Sequence, residues 1–249
     1  MSCYNTEDFI KKCGVFGLDL SKEKLDMFMD YYELLTEWNS FMNLTAITDF
    51  EEVVVKHFVD SLAVCQADVF RDALNHTEKR EVSLIDIGTG AGFPGIPLKI
   101  IFPDLKVVLL DSLKKRVKFL DTVAEKLQMK NINAIHGRAE DFARDQLYRE
   151  QFDFSVSRAV ANLSTLTELC IPFVKRGGYF ISYKSEKVKE ELSAGKKAIE
   201  ILGGKMEDQL EYNLPDTDIK RSLLLVKKEK STPKKYPRKA GTPAKEPLS

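Results

Sequence analysis

Apolar side chains recur at Leu25, Phe28, Met29, Tyr32, Leu35 and Trp38, the spacing of a helix with one buried stripe. A second helix is predicted from Asp49, with Glu52 three residues on as a capping box, through Val54, Phe58 and Leu62. A polar turn, Asn39–Thr48, separates the two, and a polar stretch at Asn75–Glu81 marks a boundary. Residues 1–75 therefore read as a helical N-terminal extension. From Val82 the period changes. Short apolar runs at Val82–Ile87, Val107–Leu110, Asn133–His136, Phe152–Ser157, Tyr179–Tyr183 and Leu223–Lys227 predict strands. Amphipathic stretches at Phe93–Ile101, Lys114–Leu127, Leu163–Val174 and Lys187–Leu202 alternate with them and predict helices. Strand and helix taking turns is the pattern of a doubly wound α/β sheet, here spanning residues 76–230. Residues 231–249 hold four prolines and little apolar content, so on their own they are expected to be extended or disordered.

Composition narrows the class. The 249 residues, 43% apolar and 31% charged, suit an ordinary globular protein with a sizeable core. No run of 18 apolar residues occurs, and Met1–Phe9 carries Glu7 and Asp8 in place of a basic-then-apolar leader. Neither membrane insertion nor secretion is expected, which leaves a cytoplasmic protein. Cys3, Cys13, Cys65 and Cys170 are far apart and form no C-x-x-C pair, so they read as reduced thiols, with no metal cluster. Charge is balanced overall, 38 basic against 38 acidic residues, but residues 227–249 carry eight basic and two acidic ones. Such an end suits a polyanionic partner, or a tail that is merely solvated.

The strongest local signal is Leu84-Ile85-Asp86-Ile87-Gly88-Thr89-Gly90-Ala91-Gly92-Phe93-Pro94-Gly95, a strand that runs into a glycine-rich turn and then a helix. Glycines there let the backbone turn tightly and approach a ligand. The next strand ends in Asp111, placed to accept hydrogen bonds from ribose hydroxyls. A nucleoside-containing cofactor is implied. Gly90-x-Gly92-x-x-Gly95 with Asp111 about twenty residues on matches the dinucleotide fingerprint, so an NAD-dependent oxidoreductase is one reading. The run D-x-G-x-G-x-G from Asp86 instead resembles the first motif of S-adenosylmethionine (SAM) methyltransferases. Gly137-Arg138-Ala139-Glu140-Asp141 could hold an adenine edge, and Lys220–Lys227 could return antiparallel beside the strand opened by Gly177-Gly178. No second mononucleotide half is visible.

The loop after Phe152–Ser157 is where catalytic groups are expected. It reads Ser157-Arg158-Ala159-Val160, without the Asn/Asp-Pro-Pro-aromatic run of amino methylation. Cys170 has apolar spacing with Leu166 and Val174 and reads as core, so no pyrimidine-carbon nucleophile is available. No His cluster or carboxylate pair offers a general base, and the catalytic residues stay unassigned. These absences favour a target that is already nucleophilic, such as guanine N7. Orientation against a sulfonium methyl can lower the barrier by about 7–11 kcal/mol.

Asp86–Ile100, Asp111–Arg116, Arg138-Ala139-Glu140, Ser157–Ala161 and Tyr236–Pro243, with Asn43–Ile47 and His57–Leu62, together resemble the bacterial 16S ribosomal RNA guanine-N7 methyltransferases. That family is also called small-subunit methyltransferase G, or glucose-inhibited division protein B. The resemblance implies a SAM-type Rossmann-like sheet with an antiparallel C-terminal strand behind a helical extension. It also implies SAM-dependent methylation of a guanine in the small-subunit decoding region, leaving S-adenosylhomocysteine. SAM contacts are implied at Gly88, Phe93, Ala139, Glu140 and Arg158, to which the reading of the strand end adds Asp111. Lys184 is a candidate phosphate or guanine-O6 contact. Lys234, Lys235, Arg238 and Lys239 of the tail are candidate RNA-phosphate contacts, and a tail packed back as a strap through Tyr236 and Leu248 is the rival reading. His57 and Asp60 could face the cleft or only pack, while His76 and His136 read as structural. The expected partner is 16S rRNA or the small ribosomal subunit, with no DNA, no membrane and a monomeric state. A non-catalytic SAM-binding assembly factor is the further alternative.

Overall fold

The computed structural model describes residues 4–75, 81–158, 161–185 and 188–248. The N-terminal part is helical: α1 (Thr6–Gly14), α2 (Lys22–Met42), α3 (Phe50–Val53), α4 (Asp60–Leu62) and α5 (Asp68–Asn75). Ser21 caps α2 by accepting from the Lys24 amide, and Asp49 caps α3 by accepting from the Glu52 amide. The helix expected through Val54, Phe58 and Leu62 is not uniform. Val54–Val59 forms a π-helix between α3 and α4, and Ala63–Gln66 a 3₁₀ turn after α4.

The remainder builds seven strands: β1 (Ser83–Ile87), β2 (Lys106–Asp111), β3 (Ile132–His136), β4 (Phe152–Ser157), β5 (Val174–Ser185), β6 (Gly204–Asn213) and β7 (Lys220–Lys228). Between them run α6 (Gly95–Ile101), α7 (Lys114–Lys126), α8 (Ala139–Phe142), α9 (Leu163–Cys170) and α10 (Val188–Ile201). The sheet order is β3-β2-β1-β4-β5-β7-β6. β1 to β5 are parallel, and β7 is antiparallel to β5 and to β6. The antiparallel return of Lys220–Lys227 beside the Gly177-Gly178 strand is thus present. β6 was not expected from the sequence. It is an edge strand carrying Lys205, Glu207, Asp208 and Glu211, with a register shift between Met206 and Asp208, so no apolar alternation marks it.

Side-chain alternation sends the sheet's residues into two cores. Leu84, Leu109, Val156, Ile181 and Leu225 join Phe9, Phe28, Tyr31 and Phe58 of the N-terminal helices in one continuous cluster. The extension therefore shares its core with the sheet. Ile85, Leu110, Phe180 and Leu224 face the other way, onto Leu166 and Cys170 of α9 and Ile199 of α10. Cys170 is fully buried, as its spacing predicts, and burial pushes its thiol well up. Among the described residues, no helix is long and apolar enough to cross a membrane.

The expectation of an extended or disordered tail does not hold for residues 231–248. They pack against α8 and α9 and end in a short helix, α11 (Thr242–Lys245). Tyr236 and Leu248 join the second core. Arg149 donates to the carbonyls of Thr232 (2.8 Å) and Tyr236 (2.9 Å), and Arg144 donates to that of Pro237 (2.7 Å). Two arginines of the body satisfy tail carbonyls, so a proline-rich segment needs no secondary structure to stay in place.

Candidate functional site

The carboxyl ends of the parallel strands place Gly88, Ser112 and Arg158 along one edge. The strand order reverses between β1 and β4, the place where open α/β sheets bind ligands. Asp86, fully buried near the end of β1, pins both ends of the glycine turn. Its Oδ2 accepts from the Thr89 hydroxyl (2.7 Å) and the Gly95 amide (2.9 Å). Burial raises this carboxyl to about 6, and its Oδ1 meets no hydrogen-bond partner among the described residues. The Tyr31 hydroxyl donates to the Ala91 carbonyl and ties the turn to α2. Gly90 and Gly92 both have positive φ, +63° and +100°, but for different surroundings. A Cβ on Gly92 would run into the Ile96 side chain, whereas one on Gly90 would have no atom of the described residues within 4 Å. Gly90 faces open space.

Phe93 closes the turn and is nearly buried. His57 stacks on its ring at 4.6 Å and 21°, and the Arg158 guanidinium lies 5.0 Å from its centroid. Arg158 donates to the Lys56 carbonyl (3.2 Å), the His57 carbonyl (3.3 Å) and the Asp60 carboxylate (3.0 Å). Lys56 and His57 lie on the π-helix, and Arg158 binds both of their carbonyls across 101 residues of chain or more. Asp60 accepts in turn from the Tyr212 hydroxyl (2.8 Å). The other end of the imidazole, Nε2, meets the Thr45 hydroxyl at 2.8 Å. Burial, reinforced by the Arg158 charge, lowers His57 to about 4, so it is neutral at physiological pH.

These groups surround a cavity of about 800 Å³, the size range of a nucleoside cofactor with a substrate group beside it. Thr45, Gly90, Phe93, Arg116, Arg158 and Lys184 are on its wall. Of the residues singled out in the sequence, Gly88, Phe93, Arg158, His57, Asp60 and Lys184 come together there. Asp111 sits just behind, with Oδ2 accepting from the Gly90 amide (2.9 Å) and Oδ1 from the Leu113 amide (2.8 Å). Ala139 and Glu140 begin α8, and the Glu140 carboxylate accepts from the Gly241 amide of the tail (2.8 Å).

Two proposed RNA contacts are already paired. Lys184 is nearly buried and donates to the Ala161 carbonyl (2.8 Å) and to Glu191 (2.7 Å). Arg238 is bound to the buried Glu168. Lys234, Lys235 and Lys239 are exposed, with the Lys235 ammonium 5.2 Å from the centroid of the Tyr236 ring. Cys3, His76, Ala159 and Val160 lie outside the described residues, and His136 is exposed at the end of β3. Tyr31, Tyr212 and Arg221, the last on the cavity wall with Nε 3.7 Å from the Asp60 carboxylate, were missed as site residues. Nothing local marks them, since each reaches the site only through folding.

The second mononucleotide half of a dinucleotide enzyme is absent among the described residues. After β5 the sheet ends in the antiparallel pair β7 and β6. This sheet, with a glycine turn opening into a cavity at its switch point, defines the Rossmann-like methyltransferase class. A crystal structure of a protein from Pyrococcus horikoshii has the same fold, with a TM-score of 0.50, 17% identity, and coverage of 65% of this chain and 62% of that one. The chain belongs to the rRNA small subunit methyltransferase G family, whose model matches residues 24–219. It is 55% identical to the ribosomal RNA small subunit methyltransferase G of Lachnoclostridium phytofermentans over 96% of both chains. It is 54% identical to that of Acetivibrio thermocellus, over 96% of this chain and 95% of the other.

Proposed function

We propose that this protein transfers a methyl group from SAM to N7 of a guanine in 16S rRNA, with the small ribosomal subunit as its partner. The observation that carries the cofactor assignment is the open side of Gly90, a left-handed glycine on the cavity wall with no atom of the described residues within 4 Å of its would-be Cβ. Gly88, Phe93, Arg158 and the start of α8 at Ala139-Glu140 are assigned to SAM by family resemblance. Asp111 is assigned to the ribose through the Oδ1 lone pair that the Gly90 and Leu113 amides and the Arg116 guanidinium leave free.

Bound SAM supplies a methyl group on a sulfonium sulfur. The chain's task is orientation. Guanine N7 carries its lone pair at neutral pH, so no side chain has to remove a proton from it. His57, neutral and held between Thr45 and the Phe93 ring, suits a positioning surface. Arg158 holds the π-helix over the glycine turn and so sets the width of the cleft. The exposed tail lysines Lys234, Lys235 and Lys239 remain candidate phosphate contacts.

The test is transfer of tritiated methyl from SAM to small subunits lacking the modification, followed by chemical cleavage at 7-methylguanine. Label at a cleavable guanine is expected. Label on adenine or a pyrimidine would overturn the choice of atom. SAM binding without transfer would favour an assembly factor, and binding of NADH in place of SAM would restore the oxidoreductase reading.

A further inference from the structure

Phe41, the penultimate residue of α2, is 66% exposed, an unusual position for a phenylalanine. It is braced from below. Trp38 lies 5.5 Å from its ring and 5.6 Å from Phe119 of α7, which fixes the end of α2 against that helix. Across the same junction Lys115 donates to the Met42 carbonyl (3.4 Å). The neighbouring turn exposes Leu113, Lys114 and Lys115, and the first turn of α7 carries no acid.

Both sides of this patch lead into the cavity along their own chain. Leu44, three residues beyond Phe41, lines the wall, and so does Arg116, one residue beyond Lys115. An exposed ring beside adjoining cations, on two segments that run on into a nucleoside-sized cavity, is the combination that grips a single-stranded nucleic acid: a base stacks on the ring and its phosphates meet the lysines. We infer that Phe41, Lys114 and Lys115 form a docking surface for the unpaired RNA next to the target nucleotide, delivering the target base into the cavity. This rests on the proposed function and adds the surface through which the RNA is held.

Binding is measured with small subunits lacking the modification and with a protein-free 16S rRNA fragment, alongside calorimetric SAM affinity and thermal stability. Phe41→Ala is expected to weaken binding to both about 5- to 150-fold, the range for loss of one stacked base. Phe41→Tyr should restore it. The variant Lys114→Ala with Lys115→Ala should flatten the slope of log affinity against log salt by about 0.7 for each RNA phosphate that is no longer neutralised. SAM affinity and melting temperature should not move in any of the three. Unchanged RNA affinity in Phe41→Ala and in the double variant would overturn the surface. Weaker binding to subunits with unchanged binding to the bare fragment would also overturn it, since a ribosomal protein would then be the partner. Failure of the wild type to methylate subunits would instead strike the proposed function, because the RNA-affinity differences are read without any transfer.

Discussion

Glu168 on α9 is fully buried, and Arg238 from the tail reaches in to meet it. The Arg238 backbone amide donates at 2.7 Å, and its side chain makes contacts at 2.6, 3.0 and 3.1 Å. The pair joins segments 70 residues apart and makes the tail a structural strap. Removing the Arg238 side chain leaves the Glu168 carboxylate in the core with its counter-charge gone and only the backbone amide at position 238 to bond it. Arg238→Met is expected to destabilise the protein by about 3–5 kcal/mol in urea unfolding, and Glu168→Met with Arg238→Met by much less. Equal losses in the single and double variants would count against the pair.

Truncation after Lys230 removes that pair together with the Gly241 amide that holds Glu140. The melting temperature and SAM affinity should therefore fall together. A truncated protein that melts and binds SAM like the full chain, but shows a flatter salt dependence with subunits, would return the tail to a purely RNA-binding role.

Gly90 and Gly92 separate ligand space from packing. Gly90→Ala faces only the cavity, so its effect on the fold should be confined to the backbone strain of a left-handed alanine, about 1–2 kcal/mol. Its main effect should be loss of SAM binding. Gly92→Ala adds a clash with Ile96 to the same strain and should destabilise the protein more, measured side by side in urea.

Arg158→Lys should not substitute for Arg158. One ammonium cannot hold the Lys56 and His57 carbonyls and the Asp60 carboxylate while lying over Phe93. SAM affinity is expected to fall at least tenfold by calorimetry, with proteolysis increased near the π-helix. Wild-type affinity would exclude this guanidinium from the cofactor site.

His57 and Asp86 should give stability opposite dependences on pH. His57 falls from its ordinary 6.5 to about 4, so the unfolded chain binds the extra proton between those values and stability is lost as pH drops through them. Asp86 rises from 3.8 to about 6, so the folded chain binds the extra proton and stability is lost as pH rises through that window. The destabilisation caused by His57→Gln should shrink as pH falls from 6.5 to 4. That caused by Asp86→Asn should shrink as pH rises from 4 to 6. Urea midpoints across this range check both, and a His57 NMR titration centred near 6.5 would contradict the first.

Among the parallel strands β2 was legible as the apolar run Val107–Leu110, and β4 as Phe152, Phe154 and Val156 alternating with Asp153, Ser155 and Ser157. β6 was not, because an edge strand is solvated and can carry Lys205, Glu207 and Glu211 at no penalty. The tail misled for a related reason. Its lysines and prolines report what the segment does alone, whereas its order comes from Arg144, Arg149 and Glu168 on the surface beneath it.

What is local could be read from the chain alone: the run from Asp86 to Gly95, the acid ending the next strand, and the helix cap at Asp49. In each, the interacting groups lie within about ten residues, or their spacing follows from a strand's length. Tertiary structure alone decided which groups share the cleft. His57, Phe93 and Arg158 are brought into one stack, Tyr212 reaches Asp60, and Lys184 and Arg238 are turned from free cations into partners of Glu191 and Glu168. The physical reason is that a side chain's charge and donors are read from its identity, but whether they are free for a ligand depends on what the fold has already set against them.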